Sequence, residues 1–320
     1  MISRVAESAF WLARYLERIE SLVRLQYVNT HFVLDVNLEG VPRWMPLVVV
    51  VGEEERYLAG VKKGQEDSED SVLQFLTWDR TNPSSVASSL NWARENARTI
   101  REVISLEMWE TLNGLWLWFS SREAERLYRT DPYKFFHHLR DQCVLFNGFA
   151  LDSMLQAEPF NFMRLGASLE RAEQTARILD VKYHALGPTK VDRELPSETA
   201  QWQAILRSCS AIEPYFKVAK SDLNGVSVAQ FLLFDKHFPR SVQRSLDRAW
   251  NFFQLIRPGS KSTMGSNANQ SLKALKKELE TMDMNTVMDE GLHNTLTRIV
   301  DSVATVCDDI VSDFFQYAEN

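Results

Sequence analysis

The chain has 320 residues, of which 45% are hydrophobic and 25% are charged, the composition of a globular protein. Its net charge of −7 argues against a nucleic-acid-binding protein, because that class carries a basic excess or a basic face. Apolar runs are far shorter than the roughly 18 residues that cross a membrane, and the first 18 residues are too charged for a secretion signal.

Helical periodicity dominates the chain. In the first helix, predicted over residues 5–28, the apolar side chains fall on one stripe at helical spacing. Further helices are predicted over residues 84–112, 135–155, 160–186, 197–219, 240–256, 271–281 and 292–317. Proline and glycine predict breaks at 39–42, 131–132, 187–188, 195–196 and 257–270. The sequence therefore predicts an all-α protein.

Three ordered stretches recur along the chain at a nearly constant offset. Glu17–Arg18 recurs as Glu170–Arg171, Trp44 recurs as Trp202, and "FLTWDRTNPSSV" recurs as "FLLFDKHFPRSV". The offsets are 153 (17 to 170), 158 (44 to 202) and 156 (75 to 231) residues. We interpret the pattern as an internal duplication.

The duplication predicts a helical bundle of two pseudo-twofold-related halves, residues 1–157 and 158–320, packed as one unit. It also bears on "LVVVVGEEERYL", residues 47–58, which by itself is typical of a strand because β-branched residues favour strands. Its counterpart, residues 204–216, has a helical pattern. We therefore predict that the valine run is a buried helix.

The repeated Glu-Arg motif has two interpretations. On a helical wheel, Glu17, Glu20 and Arg24 lie on one shoulder of the buried stripe, whereas Arg18 points away from it. The second copy repeats the shoulder with Glu170, Glu173 and Arg177. One interpretation is an ordinary ion pair at the edge of a helix. The other is a site in which half-buried carboxylates beside arginines orient a ligand or take a proton.

A second feature is an arginine stripe in the helix predicted over residues 84–112. Arg94, Arg98 and Arg101 recur at i, i+4 and i+7, and like charges on one stripe repel unless anions face them. Two interpretations stay open, because the stripe meets either acidic residues of the first helix or an anionic ligand. Asn96, on the apolar face, is expected to need a buried hydrogen-bond partner.

A metal-carboxylate bundle is a less favoured alternative. Its four carboxylates would come from the two motif copies, Glu17, Glu20, Glu170 and Glu173. The nearby arginines argue against it, since they compete for carboxylates and repel a cation. Glu290 and His293 form a single Glu-x-x-His unit, whereas di-iron bundles need two. We therefore predict no metal site, and no cofactor motif is evident.

Three stretches together resemble the bacterial alpha-E domain family, an all-helical family with a Glu-Arg motif. They are "ISRVAESAFWLARYLERIE", "NPSSVASSLNWARENARTIREVISLEMWETLN" and "FMRLGASLERAEQTARILDV". The resemblance covers essentially the whole chain and places the motif at Glu17–Arg18 and Glu170–Arg171. Members of that family are encoded beside an ATP-grasp ligase and a transglutaminase-like protein. The resemblance therefore implies a role in making or modifying a peptide-like product.

Two functions of equal standing follow. In the first, the chain is a subunit of a peptide-ligation system, in which Glu17 or Glu170 positions or deprotonates an amine. The residues predicted to bind substrate are Arg18, Glu20, Arg24, Arg94, Arg98, Arg101, Arg171, Glu173 and Arg177. In the second, the chain is a non-catalytic scaffold or binding protein. Three distant cysteines, Cys143, Cys209 and Cys307, predict reduced, buried thiols and a cytoplasmic location. The acidic net charge and the short apolar runs predict neither nucleic acid nor a membrane as a partner.

Overall fold

A computed structural model of the protein describes residues 3–32, 42–186, 196–219, 223–257 and 264–315. These described residues form helices and no strand, so the all-α prediction is confirmed for them. The break predicted at 187–188, residues 39–41 of the next, residue 195 of the break at 195–196, and residues 258–263 of the break at 257–270 lie outside the described residues. The break at 131–132 is confirmed, because Asp131 caps the helix that begins at Pro132 and accepts a hydrogen bond from the Lys134 amide.

Among the described helices, the two longest have 30 and 29 residues. Up to Ser153 the helices are α1 (Ser3–Phe32), α2 (Met45–Val50), α3 (Glu54–Gly60), α4 (Glu69–Thr77), α5 (Val86–Thr99), α6 (Leu106–Phe119), α7 (Arg122–Thr130) and α8 (Pro132–Ser153). From Glu158 they are α9 (Glu158–Leu186), α10 (Pro196–Ser208), α11 (Ile212–Val218), α12 (Gly225–Phe234), α13 (Val242–Ile256), α14 (Ser266–Thr281), α15 (Met284–Glu290) and α16 (Leu292–Ile310), which continues as a π-helical turn, Val311–Phe315. No helix in the described ranges is both long and apolar enough to traverse a bilayer.

The two long helices, α1 and α9, form the centre of the molecule. They pack on each other, α1 also packs on α5 and α8, and α9 also packs on α13 and α16. A helix that is covered on several sides buries more than one stripe. Close approach requires Gly166, because a Cβ there would lie 2.4 Å from the Phe10 carbonyl oxygen. The motif helices therefore meet directly, as the duplication predicts.

The valine run is helical, as predicted, but it is shorter than the repeated stretch. Helix α2 ends at Val50, Gly52 adopts a left-handed conformation with φ of 79°, and α3 begins at Glu54. Leu47 and Val48 are fully buried. Tertiary burial therefore outweighs the strand preference of the valines.

Two predicted long helices are each two helices, so their predicted extents are wrong. The helix predicted over residues 84–112 stops after Thr99, and α6 starts beyond Ser105, whose hydroxyl accepts a hydrogen bond from the Met108 amide at 3.3 Å. The helix predicted over residues 197–219 is interrupted at Ser210, which has a φ of 53°. Local capping and a left-handed residue end these helices although the apolar spacing continues across the breaks.

Candidate functional site

Two reciprocal ion pairs join α1 to α9. Arg18 Nε and Nη2 donate to Glu170 Oε1 and Oε2 at 2.7 and 3.1 Å. Arg171 Nε and Nη2 donate to Glu17 Oε1 and Oε2 at 2.9 and 2.6 Å. Both pairs are bidentate, the strongest geometry for Arg and a carboxylate. The prediction that Arg18 points away from the shoulder is wrong, because α9 covers the side of α1 from which Arg18 extends.

Further donors surround Glu170. Arg14 Nε donates to Glu170 Oε2 at 2.8 Å, and Arg14 Nη2 donates to Glu173 Oε2 at 3.0 Å. Gln174 Nε2 donates to Glu170 Oε1 at 3.0 Å. Arg177 Nε holds the other Glu173 oxygen at 2.9 Å. Each carboxylate oxygen of this pair therefore accepts at least one hydrogen bond.

The Glu17 end is also held by a residue from outside α1 and α9. Arg240, just before α13, donates from Nη1 to Glu17 Oε1 at 2.9 Å and from Nη2 to Glu20 Oε1. Arg24 Nη2 donates to the same Glu20 oxygen at 2.6 Å. The sequence places Arg240 in the repeated "FPRSV" stretch, but nothing in that stretch indicates a contact with Glu17.

Both central carboxylates are buried and ionised. Glu17 is 1% exposed and Glu170 is 0% exposed. Burial raises the pKa of each, but Arg171 and the other partners of Glu17, and Arg18 and the other partners of Glu170, outweigh burial and lower both pKa values to about 2. A general base works best with a pKa near the operating pH. This packing therefore favours an anchoring role, and the catalytic role of Glu17 and Glu170 stays a prediction.

The arginine stripe lies apart from this network, on the surface shared by α5 and α6. Arg94 Nε donates to Asn113 Oδ1 at 2.9 Å, and Arg94 and Arg98 both pair with Glu95. Arg101 lies over an indole ring of α6. The interpretation that the stripe meets acidic residues of α1 is therefore wrong. Its role in binding an anionic ligand stays a prediction.

A cavity of about 220 Å³ opens beside the Glu20–Arg24 pair, between α1, α8 and the α10–α11 junction. Its polar lining consists of Arg24, Tyr27, His137, Arg140, Arg207, Ser210 and Glu213. We call it the arginine cavity. Among the described residues, Arg24 Nε and His137 Nε2 are buried without a hydrogen-bond partner. Burial, followed by Arg140, lowers the pKa of His137, so its ring is neutral at neutral pH.

His137 illustrates a functional candidate that sequence reasoning passed over. Histidines beside phenylalanines are usually packing residues, and His137 does stack on Tyr133 with ring centroids 4.1 Å apart. The same ring also faces the arginine cavity. One turn further along α8, Arg140 lies on the same face, and this i, i+3 spacing was the available signal.

The four motif carboxylates are taken up by arginines, and this disfavours the metal-carboxylate alternative. Glu290 pairs with Arg298, and His293 Nδ1 lies 2.9 Å from Asp180, so the Glu-x-x-His unit is divided between two contacts. Within the described ranges, no group of three or more His, Cys, Asp or Glu side chains is arranged to hold a metal ion.

The fold and the site define an all-helical protein whose two longest helices are joined by reciprocal buried Glu-Arg pairs. The chain belongs to the Alpha-E family, described as a predicted alpha-helical domain with a conserved ER motif, whose family model matches residues 1–315. Glu17–Arg18 and Glu170–Arg171 are Glu-Arg dipeptides, and all four residues take part in the reciprocal pairs.

Similar proteins are longer than this chain. Uncharacterised proteins of Mycobacterium bovis and of two Mycobacterium tuberculosis strains are 24% identical to it over 301 residues. The alignment covers 87% of this chain and 32% of each relative, so the chain spans about a third of the length of the curated relatives it matches. No solved structure matches the chain at a significant level.

Proposed function

We propose that this chain is the substrate-binding subunit of a peptide-ligation or peptide-modification system, working with an ATP-grasp ligase and a transglutaminase-like protein. The observation that carries the proposal is the arginine cavity, which places several cationic side chains around a space large enough for a small anionic group. The resemblance to a family encoded beside such enzymes supplies the partners.

The arginine cavity suits the carboxylate end of a peptide. Glu20 holds Arg24 Nη2 and leaves Arg24 Nε without a partner, so this donor is available to a bound carboxylate oxygen. Arg140 pairs with Asp141, which is solvent-exposed, and this weak surface pair yields readily to a ligand. Neutral His137 offers a nitrogen that accepts or donates a hydrogen bond. Arg is also the residue best suited to planar recognition of carboxylates.

The length of the relatives supports a partner domain. Since the matched region is about a third of those chains, it is joined there to a large further portion. Regions that work on one substrate benefit from being tethered, because tethering raises their effective concentration. We extend this reasoning to a partner that acts on a peptide held in the arginine cavity.

The binding half of the proposal is tested by calorimetric titration of the protein with a dipeptide and with its C-terminal amide. We expect the free carboxylate to bind and the amide to bind about tenfold more weakly, the loss of one charge-assisted hydrogen bond. Arg140→Gln should lower the affinity similarly. The matched control is Arg129→Gln, which removes an exposed pair with Glu125 outside the cavity. Equal affinity for acid and amide contradicts the proposal.

The ligation half is tested by co-purification with an ATP-grasp ligase from the same genome, followed by ATP consumption with and without this protein. Stable association and a rise in turnover that Arg140→Gln abolishes would support it. No association and unchanged turnover would defeat it.

The saturated carboxylates favour a second candidate, a non-catalytic scaffold. Glu17 and Glu170 are fully engaged by arginines, so neither is free to take a proton in this packing. If peptide binding survives Glu170→Gln in protein that remains folded, while ligase turnover is also unchanged, the scaffold role is the better description.

The internal duplication belongs to the same proposal, with halves at residues 1–157 and 158–320. Its support is the order of helices, in which α1, α5 and α8 have α9, α13 and α16 at corresponding places, and the reciprocal Glu-Arg pairs. We further propose a cytoplasmic location, which the free and buried state of Cys143, Cys209 and Cys307 supports.

A further inference from the structure

Arg164 on α9 is a buried guanidinium that no carboxylate among the described residues pairs with directly. The residue is 5% exposed, and its Nε has no hydrogen-bond partner in the described part of the chain. Buried arginines are normally held by carboxylates, as Arg14 is by Glu170 and Glu173. Among the described residues, Arg164 makes no such ion pair. Burying an unpaired charge destabilises the folded state, so such a residue is unusual.

The charged side chains that act most strongly on Arg164 are mostly cationic. Burial, then Arg248 and Arg171, lower the pKa of Arg164 to about 10. Burial, Arg171 and Arg244 likewise lower the pKa of Arg248. Glu17 is the carboxylate that acts on both, and it already accepts hydrogen bonds from Arg171 and Arg240. One occupied carboxylate therefore faces a cluster of guanidinium groups.

These arginines lie at increasing depth where α9 packs on α13. Arg244 is exposed, Arg248 is half-buried, and Arg164 is almost wholly buried. The neighbouring acid on α13, Asp247, pairs with Lys276 at 2.8 Å and does not balance them. The arrangement runs from solvent to a buried, uncompensated donor, as in sites that draw in an anion.

We infer that Arg164, Arg171, Arg244 and Arg248 form a binding site for a multiply charged phosphoryl group, such as a phosphate ester or a diphosphate. A single carboxylate would balance only one of the three arginines that Glu17 leaves uncompensated, whereas a phosphoryl group brings up to two charges and three acceptor oxygens. None of these four residues lines the arginine cavity, so the site stands independently of the peptide proposal.

The test is calorimetric titration of the full chain with pyrophosphate and, separately, with succinate at matched ionic strength. We expect Arg164→Met and Arg248→Gln each to weaken pyrophosphate binding about tenfold, the loss of one charge-assisted hydrogen bond. The control is Arg129→Gln, an exposed arginine paired with Glu125, and it should leave the affinity unchanged. Tighter binding of succinate than of pyrophosphate would overturn the phosphoryl assignment in favour of a carboxylate ligand.

A second readout separates a binding role from a structural one. Without any multivalent anion, Arg164→Met should melt at a higher temperature than the wild type, because it removes an uncompensated buried charge. It should also lose the rise in melting temperature that pyrophosphate gives the wild type. If Arg164→Met melts lower, or fails to fold, Arg164 is a structural residue and the site is wrong. Equal pyrophosphate stabilisation of wild type and Arg248→Gln would likewise overturn it.

Discussion

The two ends of the α1–α9 junction contain the same bidentate pair in different surroundings. At the Glu170 end, Arg14 and Arg18 come from one helix, and their guanidinium carbons lie 5.0 Å from the Trp11 ring centroid and 5.9 Å from the Tyr15 ring centroid. The adjoining cavity, of about 90 Å³, is lined by charged groups that already have partners.

At the Glu17 end, cationic side chains outnumber the carboxylates. Arg171 and Arg240 hold the carboxylate, while Arg164 and Arg248 add positive charge that no described carboxylate pairs with. The same type of ion pair can therefore have different roles in different surroundings. A balanced end fixes two helices, and a cation-rich end keeps binding capacity for an anion.

Low pH should have the largest effect on the free energy of unfolding, because it protonates Glu17 and Glu170 and so breaks the ion pairs at both ends. The folded-state pKa of Glu17 and of Glu170 is about 2, below the unfolded value of 4.5, so each pair contributes stability above pH 4.5 that is lost as the pH falls towards 2. We expect a loss of about 3 kcal/mol per carboxyl group. Urea unfolding from pH 5 to 2 measures it. A stability that stays flat over this window would show that the pairs do not stabilise the fold.

Glu17→Gln should break the cation-rich end and cost about 5 kcal/mol in chloride buffer, because several arginines lose their shared counter-charge. We expect phosphate to restore part of the loss. Urea unfolding in the two buffers at equal ionic strength measures the difference. The control is Glu125→Gln, in an exposed pair worth about 0–1 kcal/mol. A loss that is identical in chloride and phosphate would contradict the difference drawn between the ends.

Glu170→Gln should break the balanced end and cost about 3 kcal/mol, since Arg14 keeps Glu173 as a partner. Phosphate should not restore it, because Arg14 and Arg177 still hold Glu173, and the rings of Trp11 and Tyr15 already pack beside Arg14 and Arg18. The same two-buffer unfolding experiment provides the measurement. Recovery in phosphate equal to that of Glu17→Gln would mean that both ends admit anions.

Gly166→Ala tests the close approach on which both ends depend, with a smaller effect. The new Cβ would meet the Phe10 carbonyl oxygen at 2.4 Å, and forcing the helices apart should cost about 1–3 kcal/mol. Gly114→Ala, at an exposed position of α6 with nothing within 4 Å, should instead stabilise by up to about 1 kcal/mol. Thermal unfolding of both variants tests whether alanine lowers the melting temperature at residue 166 and raises it at residue 114. Equal effects would place the helix crossing elsewhere.

Periodicity predicted the helical class and the two central helices, but a helical wheel carries only one buried stripe. The wheel therefore predicts that Arg18 points away from the shoulder formed by Glu17, Glu20 and Arg24. The partner of Arg18, Glu170, lies 152 residues further on, and only the packing of α9 across α1 brings the two together. The contact of Arg240 with Glu17 is harder still to predict, because Arg240 lies in the turn before α13 and no spacing rule connects the two residues.

Helix ends were the other source of error. Apolar spacing continues through residues 100–105, yet the Ser105 cap starts a new helix there. Asn96 was expected on a buried face and is half-buried, donating to the Trp92 carbonyl oxygen at 2.8 Å. The break between α5 and α6 lies just beyond it, so the face that a continuous helix would bury is partly open. The helix boundaries here are set by local capping residues, which the apolar spacing does not reveal.

The pairing of α1 with the second half of the chain has a consequence for how the protein folds. The bonds to Glu17 and Glu170 join residues 152 to 223 positions apart, so the first helix leaves the ribosome long before its partners exist. Until α9 and Arg240 are made, Glu17 and Glu20 lack their long-range arginine partners, although α5 and α8 can already pack on α1. Such nonlocal contacts slow folding, and they couple its final step to the completion of synthesis. We expect a nascent chain that stops before Arg240 to remain open to proteases along α1.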